Sequence, residues 1–291
     1  MNPDADRRAI FAYLAFTWTV SSLFYFLIIK SAGTNAADGA WTTGLMWSPA
    51  TGALLACRYL GRPVASLGWK WGKTRYQVIS YLIPLGYSTF LYGFAWLAGI
   101  AALNPEQSAT GLSRWLGLGP LSRPVATGLY FLVVATTGVI QNCATTLGEE
   151  IGWRGFLVPE LAKRFSFTAT AVLSGVIWAL WHVPIMVFAG YNVGTGLYGL
   201  AVVCANIVVL SFVMTWLRLK SGSLWTGVIL HASHNHFIQH FFDPMTVYTG
   251  RTKYILGEFG IGFTLVVAVL AAYFWMRRAE VAQPRQAFAQ A

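Results

Sequence analysis

Eight apolar runs divide the chain, at about 9–29, 39–57, 76–100, 125–150, 167–187, 196–217, 223–242 and 257–276. Each reaches or nears the ~20 residues that a helix needs to cross a bilayer. Gly, Pro and small residues recur inside several of them, which membrane helices tolerate better than soluble ones do. The pattern predicts an all-α, polytopic membrane protein with about eight transmembrane helices. The connections are short; the longest, 101–124, is too short for a separate domain. No internal repeat is visible. The chain therefore divides into helices 1–3 with an interfacial segment (1–120), a central transmembrane core (121–245), a last transmembrane helix (246–276) and a polar tail (277–291). The first run is longer than a signal-peptide core, so it reads as a retained helix, although the small residues at 31–37 imitate a cleavage site.

Composition agrees. The chain of 291 residues is 56% hydrophobic and only 10% charged, against roughly 25% in an average soluble domain. Its 13 Trp and 13 Tyr suit interfacial aromatic belts. A net charge of +10 could suggest nucleic acid, but the basic residues fall between the apolar runs, where they orient a membrane protein instead. With eight spans, fifteen of the twenty Lys and Arg lie on the side of the termini. Only Lys30, Arg114, Arg123, Arg251 and Lys253 lie on the other. This bias puts both termini in the cytoplasm, and the expected location is a bacterial cell membrane. The segment GWKWGKT at 68–74 resembles a P-loop, but its first glycine is one residue too close. A basic aromatic segment at the membrane interface is the better reading. Cys57, Cys143 and Cys204 lie in apolar context without metal-type spacing and read as small buried hydrophobes.

Candidate chemistry comes from ionisable groups inside the apolar runs, which are costly and therefore informative. Most of the ten acids, among them Glu160, Asp243 and Glu258, fall in loops, tails or span edges. Glu149 and Glu150 do not. His182 lies in the fifth run, and His231, His234, His236 and His240 lie in the seventh. If helices 4 and 5 form a hairpin turning at 163–168, Glu149 and His182 stand at equal depth, roughly 20–25 Å from the turn. Helix 4 must then continue past Glu150, with Pro159 bending or ending its regular part. His231 and Asn235 are i,i+4 and share a face. Glu150 and Arg154 are i,i+4 with the acid first, so Glu150 reads as paired, while Glu149 points about 100° away and stays free. Each group has a plainer reading: helix-end charges for the glutamates, an interhelical hydrogen bonder for His182, and packing for His231 and Asn235. His234, His236 and His240 read as interfacial or structural.

Taken in order, EEIGWR (149–154), WALWH (178–182) and HASHN (231–235) fit the patterns E-E-x-x-x-R, Phe-x-x-x-His and H-x-x-x-N. Over roughly 120–245 the chain resembles the CAAX-protease and bacteriocin-processing family of intramembrane proteases, including the type II CAAX prenyl endopeptidases. Trp178 stands where the pattern often has Phe. The resemblance implies an intramembrane glutamate endopeptidase, with Glu149 and His182 activating water and His231 and Asn235 holding the oxyanion. Glu150 and Arg154 would brace the first motif. No cofactor or metal is expected. The partners would be a peptide or protein substrate, lipidated or not, and membrane lipid, with no nucleic acid. A metal-dependent membrane protease using one Glu and two His is one alternative. A non-catalytic immunity-type or transport protein is another. The basic connections after helices 4 and 6 predict a basic, cytoplasmic mouth suited to a terminal carboxylate or an anionic headgroup.

Overall fold

A computed structural model describes residues 3–31, 38–106, 121–191 and 194–281. Residues 32–37, most of the 101–124 connection and the tail beyond 281 lie outside the described residues. Eight helical segments coincide with the eight apolar runs. They are α1 (Pro3–Ser31), α2 (Asp38–Leu60), α3 (Thr74–Leu97), α4 (Arg123–Ala162), α5 (Phe167–Phe188), α6 (Gly196–Ser221), α7 (Trp225–Phe237) and α8 (Ile261–Met276). Among the described residues, α1, α3, α4, α5 and α6 are long and apolar enough to cross a membrane. The segment α8 has 16 residues and α7 has 13, extended by a π-helical turn at Ile238–Phe242. A two-residue antiparallel pairing, Ala102 with Val247 and Leu103 with Thr246, ties the connections before α4 and after α7.

The longest rod, α4, spans 40 residues, about twice what a membrane crossing needs. It stays continuous past Glu150, as the hairpin requires, but not as a regular α-helix. π-helical turns interrupt it at Val134–Gly138 and Ile151–Leu157. The departure from α geometry therefore begins at Ile151, ahead of Pro159, which sits at the first turn of the final stretch Val158–Ala162. Such wide turns alter the direction of the side chains around them and recur at functional sites. The chain then turns, and Ser166 caps α5, its hydroxyl accepting from the Ala169 N–H at 3.3 Å.

Packing of α4 against α2 uses glycine twice. A Cβ at Gly148 would lie 2.7 Å from the Met46 carbonyl oxygen and 2.8 Å from the Trp47 Cα. One turn later, a Cβ at Gly152 would lie 2.5 Å from Pro49 Cβ and from the Tyr13 hydroxyl. This is close backbone approach through small residues four apart, the usual device between membrane helices. It brings the glutamates between these glycines into the centre of the bundle.

The segment at 68–74 folds as a cap at the basic end. The Trp225 indole donates to the Trp69 carbonyl at 2.9 Å, and the Gln77 amide donates to the Trp71 carbonyl at 2.6 Å. The Leu224 N–H bonds the Gly68 carbonyl at 2.9 Å, which ties this cap to the start of α7.

The close α2–α4 approach generates a stability test. Gly148→Ala is expected to lower the Tm of the detergent-solubilised protein by an amount matching about 1–3 kcal/mol, because the obstructing atoms are backbone. Gly86→Ala, where nothing lies within 4 Å of the added carbon, should leave the Tm unchanged or slightly higher. Equal effects at the two positions would refute the packing argument.

Candidate active site

The site is built around a buried ion pair. Arg154 Nη1 donates to Glu150 Oε1 at 2.8 Å, and both side chains are almost fully withdrawn from solvent. The same Oε1 lies 3.0 Å from His231 Nδ1 on α7. The Arg154 guanidinium lies over the Trp178 ring of α5, 4.2 Å from its centroid. Its backbone carbonyl accepts from Arg218 Nε of α6 at 2.7 Å. Gly227 makes room for the pair, since a Cβ there would meet Glu150 Oε2 at 2.4 Å. One ion pair therefore touches four helices.

Because Glu150 is held on that side, Glu149 faces another. Its Oε2 accepts from the Trp178 indole N–H at 2.8 Å, with the Trp153 indole further off at 3.4 Å. Trp178 also sets its neighbour's tautomer. Its carbonyl oxygen lies 3.0 Å from His182 Nδ1. A carbonyl can only accept, so Nδ1 carries the proton and a neutral His182 keeps its lone pair on Nε2. The His182 ring stands edge-on to Trp181, at 4.9 Å and 86°. Trp181 is anchored in turn by Ser21 of α1, whose hydroxyl accepts its indole N–H at 2.8 Å, and by the Tyr25 hydroxyl, which donates to its carbonyl.

Glu149, His182, His231 and Asn235 all line one cavity of about 550 Å³. Trp178 lies between them, its ring 5.2 Å from that of His231. Glu150 and Arg154 stand behind this wall. Among the described residues, no three His, Cys, Asp or Glu side chains gather closely enough to hold a metal ion.

The cavity also contains residues outside the three motifs. His234, expected to be interfacial or structural, is buried and lines the cavity, its Nδ1 2.6 Å from the Tyr87 hydroxyl. His236 and His240 form a separate ring pair, 4.5 Å between centroids, away from the lining. Glu258 precedes α8, as its place at a span edge suggests, yet it folds inward to line the cavity beside Gln239, Tyr191 and Asn206. Gln239 could have been found, since it follows His231 and Asn235 at the same four-residue interval. A lone acid in the apolar stretch LGEFGIGF was the available signal for Glu258.

The mouth needs a correction as well. The exposed lining residues are Thr42 at the start of α2 and Gly190 and Tyr191 after α5. That is the end opposite the basic 163–166 turn. The basic end is closed by its own hydrogen bonds, including those of Arg218 to Arg154 and of Leu224 to Gly68. The cavity therefore does not have the basic mouth that the connection charges suggested.

Residues 126–237 match the family model described as type II CAAX prenyl endopeptidase Rce1-like. Over this stretch the helical core is similar to the Rce1-like family. The matched stretch contains Glu149, Glu150, Arg154, His182, His231 and Asn235. A related protein, CAAX prenyl protease 2 of Methanococcus maripaludis, is 27% identical over 128 residues, 42% of this chain and 44% of the relative. The chain thus matches less than half the length of that relative. Within the matched stretch the Trp178 indole N–H makes a polar contact with Glu149 that a Phe there would lack.

The ion pair at the centre of the Rce1-like core is open to a double-mutant cycle. Glu150→Leu alone leaves the Arg154 guanidinium, and Arg154→Met alone the Glu150 carboxylate, buried without its partner, and each is expected to cost about 3–5 kcal/mol. Glu150→Leu combined with Arg154→Met removes both charges and should recover much of that loss. Unfolding of the solubilised protein, followed by its tryptophan fluorescence, measures both. A double variant less stable than the sum of the singles would contradict a mutually dependent pair.

Proposed function

We propose that the chain is an intramembrane endopeptidase of the glutamate type, hydrolysing a peptide bond near or within the membrane. The observation that carries this reading is the convergence of Glu149, His182, His231 and Asn235 on one cavity inside an Rce1-like core. Glu149 Oε2 is engaged by the Trp178 indole, which leaves Oε1 to hold a water molecule. His182, with its proton on Nδ1, offers Nε2 as the partner base. Water attacks the carbonyl carbon, its proton passes to this Glu/His pair, and the same proton serves the leaving amine when the C–N bond breaks. His231 Nδ1 donates to the Glu150 carboxylate, which fixes the ring. With a proton also on Nε2, His231 and the Asn235 amide act as two donors toward the oxyanion.

The substrate is a peptide or protein whose reacting segment is enclosed in the cavity between the helices, because bare peptide backbone is not stable in lipid. The relative named a CAAX prenyl protease makes a prenylated carboxyl-terminal peptide the first to be tried. Unlipidated peptides form the necessary comparison.

Glu149→Gln is expected to abolish turnover while keeping the fold, and to retain substrate peptides that mass spectrometry can identify in the membrane complex. Asn235→Ala should lower kcat by ~10²–10³ and change KM little, since oxyanion donors act mainly in the transition state. Full activity in Glu149→Gln protein defeats the proposal. So does stoichiometric zinc whose removal and return switch activity off and on, in favour of a metal-dependent protease.

The orientation, with both termini in the cytoplasm, is supported by the fifteen-to-five distribution of Lys and Arg. Single cysteines at Ala65 and Arg251, in a background lacking the three native ones, test it in intact cells. Both positions are exposed, and they lie at opposite ends of the bundle. A membrane-impermeant thiol reagent added outside is expected to label position 251 and not position 65. The reverse pattern would invert the topology.

A further inference from the structure

The outer half of the cavity holds a second carboxylate that the hydrolytic chemistry leaves without a task. The Glu258 side chain is 18% exposed and lines the cavity on the side of its mouth. Its Oε1 accepts from the Gln239 amide at 2.7 Å, and its Oε2 accepts from the Tyr191 hydroxyl at 3.3 Å. Its backbone is fixed too, the carbonyl accepting from the Asn206 amide at 2.7 Å. His234 Nε2 stands 3.5 Å from Oε1. On its other side His234 Nδ1 lies 2.6 Å from the Tyr87 hydroxyl; with that hydroxyl donating, a single proton on Nε2 satisfies the ring without a charge.

Every group that holds Glu258 is thus a neutral donor. Among the described residues that line the cavity, none is lysine or arginine, and the other acid is Glu149. Lys253 belongs to the same end of the bundle but not to the lining; its ammonium is held by the Gly194 carbonyl at 2.9 Å and lies over the Tyr254 ring. Lys30, also at that end, lies over the Phe26 ring. A carboxylate in an enclosed, mostly apolar space with no fixed cation in contact with it is costly to keep ionised. A ligand cation placed against it forms a charge-assisted hydrogen bond in low dielectric, where such bonds are strongest.

We infer that Glu258 is a specificity residue: it receives a cationic nitrogen of the bound peptide while the scissile bond lies at Glu149. The group is a lysine or arginine side chain, or a free amino terminus. This rests on the hydrolytic reading of the inner half of the cavity. It also separates the substrate from one whose terminal carboxylate would occupy the outer half, because like charges there oppose each other without water to screen them. The preference expected from one enclosed charge pair is about tenfold or more.

The probes are synthetic twelve-residue apolar peptides, blocked at both ends, with one Lys, Gln or Glu walked through the central positions. A fourth peptide has a free amino terminus and no Lys, which distinguishes the two sources of the cation. Binding is measured by fluorescence anisotropy to Glu149→Gln protein in nanodiscs of zwitterionic lipid. Initial rates of cleavage of the same peptides are measured with the unaltered protein. At the best position the Lys peptide should bind about tenfold tighter than its Gln twin, with the Glu peptide weakest. In the Glu149→Gln/Glu258→Gln protein the ratio of Lys to Gln affinity should fall to near one.

Equal affinity for the Lys, Gln and Glu peptides at every position, with the free amino terminus giving no advantage, overturns the inference. A preference that survives Glu258→Gln does the same. The first comparison needs no change at Glu258, so it decides the matter even if that variant fails to fold. Selective binding through Glu258 without cleavage of any peptide would overturn the endopeptidase reading and leave the subsite standing. Cleavage without selectivity would do the opposite.

Discussion

A charge pair far from water governs this structure. Glu150 and Arg154 are each nearly sealed from solvent in a bundle whose surroundings are hydrocarbon. Either group alone in that setting would be strongly unfavourable, so the fold must bring both together. The helices α5, α6 and α7 each set one group against the pair, while Glu150 Oε2 keeps no hydrogen-bond partner among the described residues. His231 on α7 shares the carboxylate, Trp178 on α5 covers the guanidinium, and Arg218 on α6 reaches the Arg154 backbone. Gly227 supplies the space. The pair thereby sets the relative positions of α4, α5, α6 and α7, and those positions create the cavity.

The consequence for chemistry follows from helix geometry. With Glu150 committed to Arg154 and His231, the adjacent Glu149 must project elsewhere, and the position it faces is Trp178. That tryptophan carries three tasks at once. Its N–H fixes the Glu149 carboxylate, its ring takes the Arg154 cation, and its carbonyl selects the His182 tautomer. Two neighbouring carboxylates thus receive different environments, one as part of the scaffold and one at the cavity wall. The π-helical turn that begins at Ile151 lies directly after them, where a regular helix would continue unchanged.

The division between the two glutamates was legible because it depends on local periodicity. A four-residue interval with the acid first identifies the ion pair, and the 100° step identifies the free neighbour. That Glu149 and His182 could line one cavity was legible from the position of the hairpin turn alone. The tryptophan at 178 reads as one more aromatic in the sequence, since nothing along the chain indicates that its indole N–H meets a carboxylate 29 residues earlier. Glu258 was missed for a related reason. Its partners Gln239 and Tyr191 come from two other connections and helices, and distances between separate elements have no period.

The sequence by itself determined the elements: eight apolar runs, their helical state, the breaks between them and the facing of residues within one helix or one hairpin. These follow from hydrophobicity and from interactions a few residues apart. The tertiary structure alone decided which end of the cavity is open. Charge counting favoured the basic end, but there the backbone and arginine groups consume one another's hydrogen bonds and close it. Among the described residues, the opposite end stays open at Thr42 of α2 and at Gly190 and Tyr191 after α5. That outcome depends on how eight rods of unequal length pack together, and no single rod carries the information.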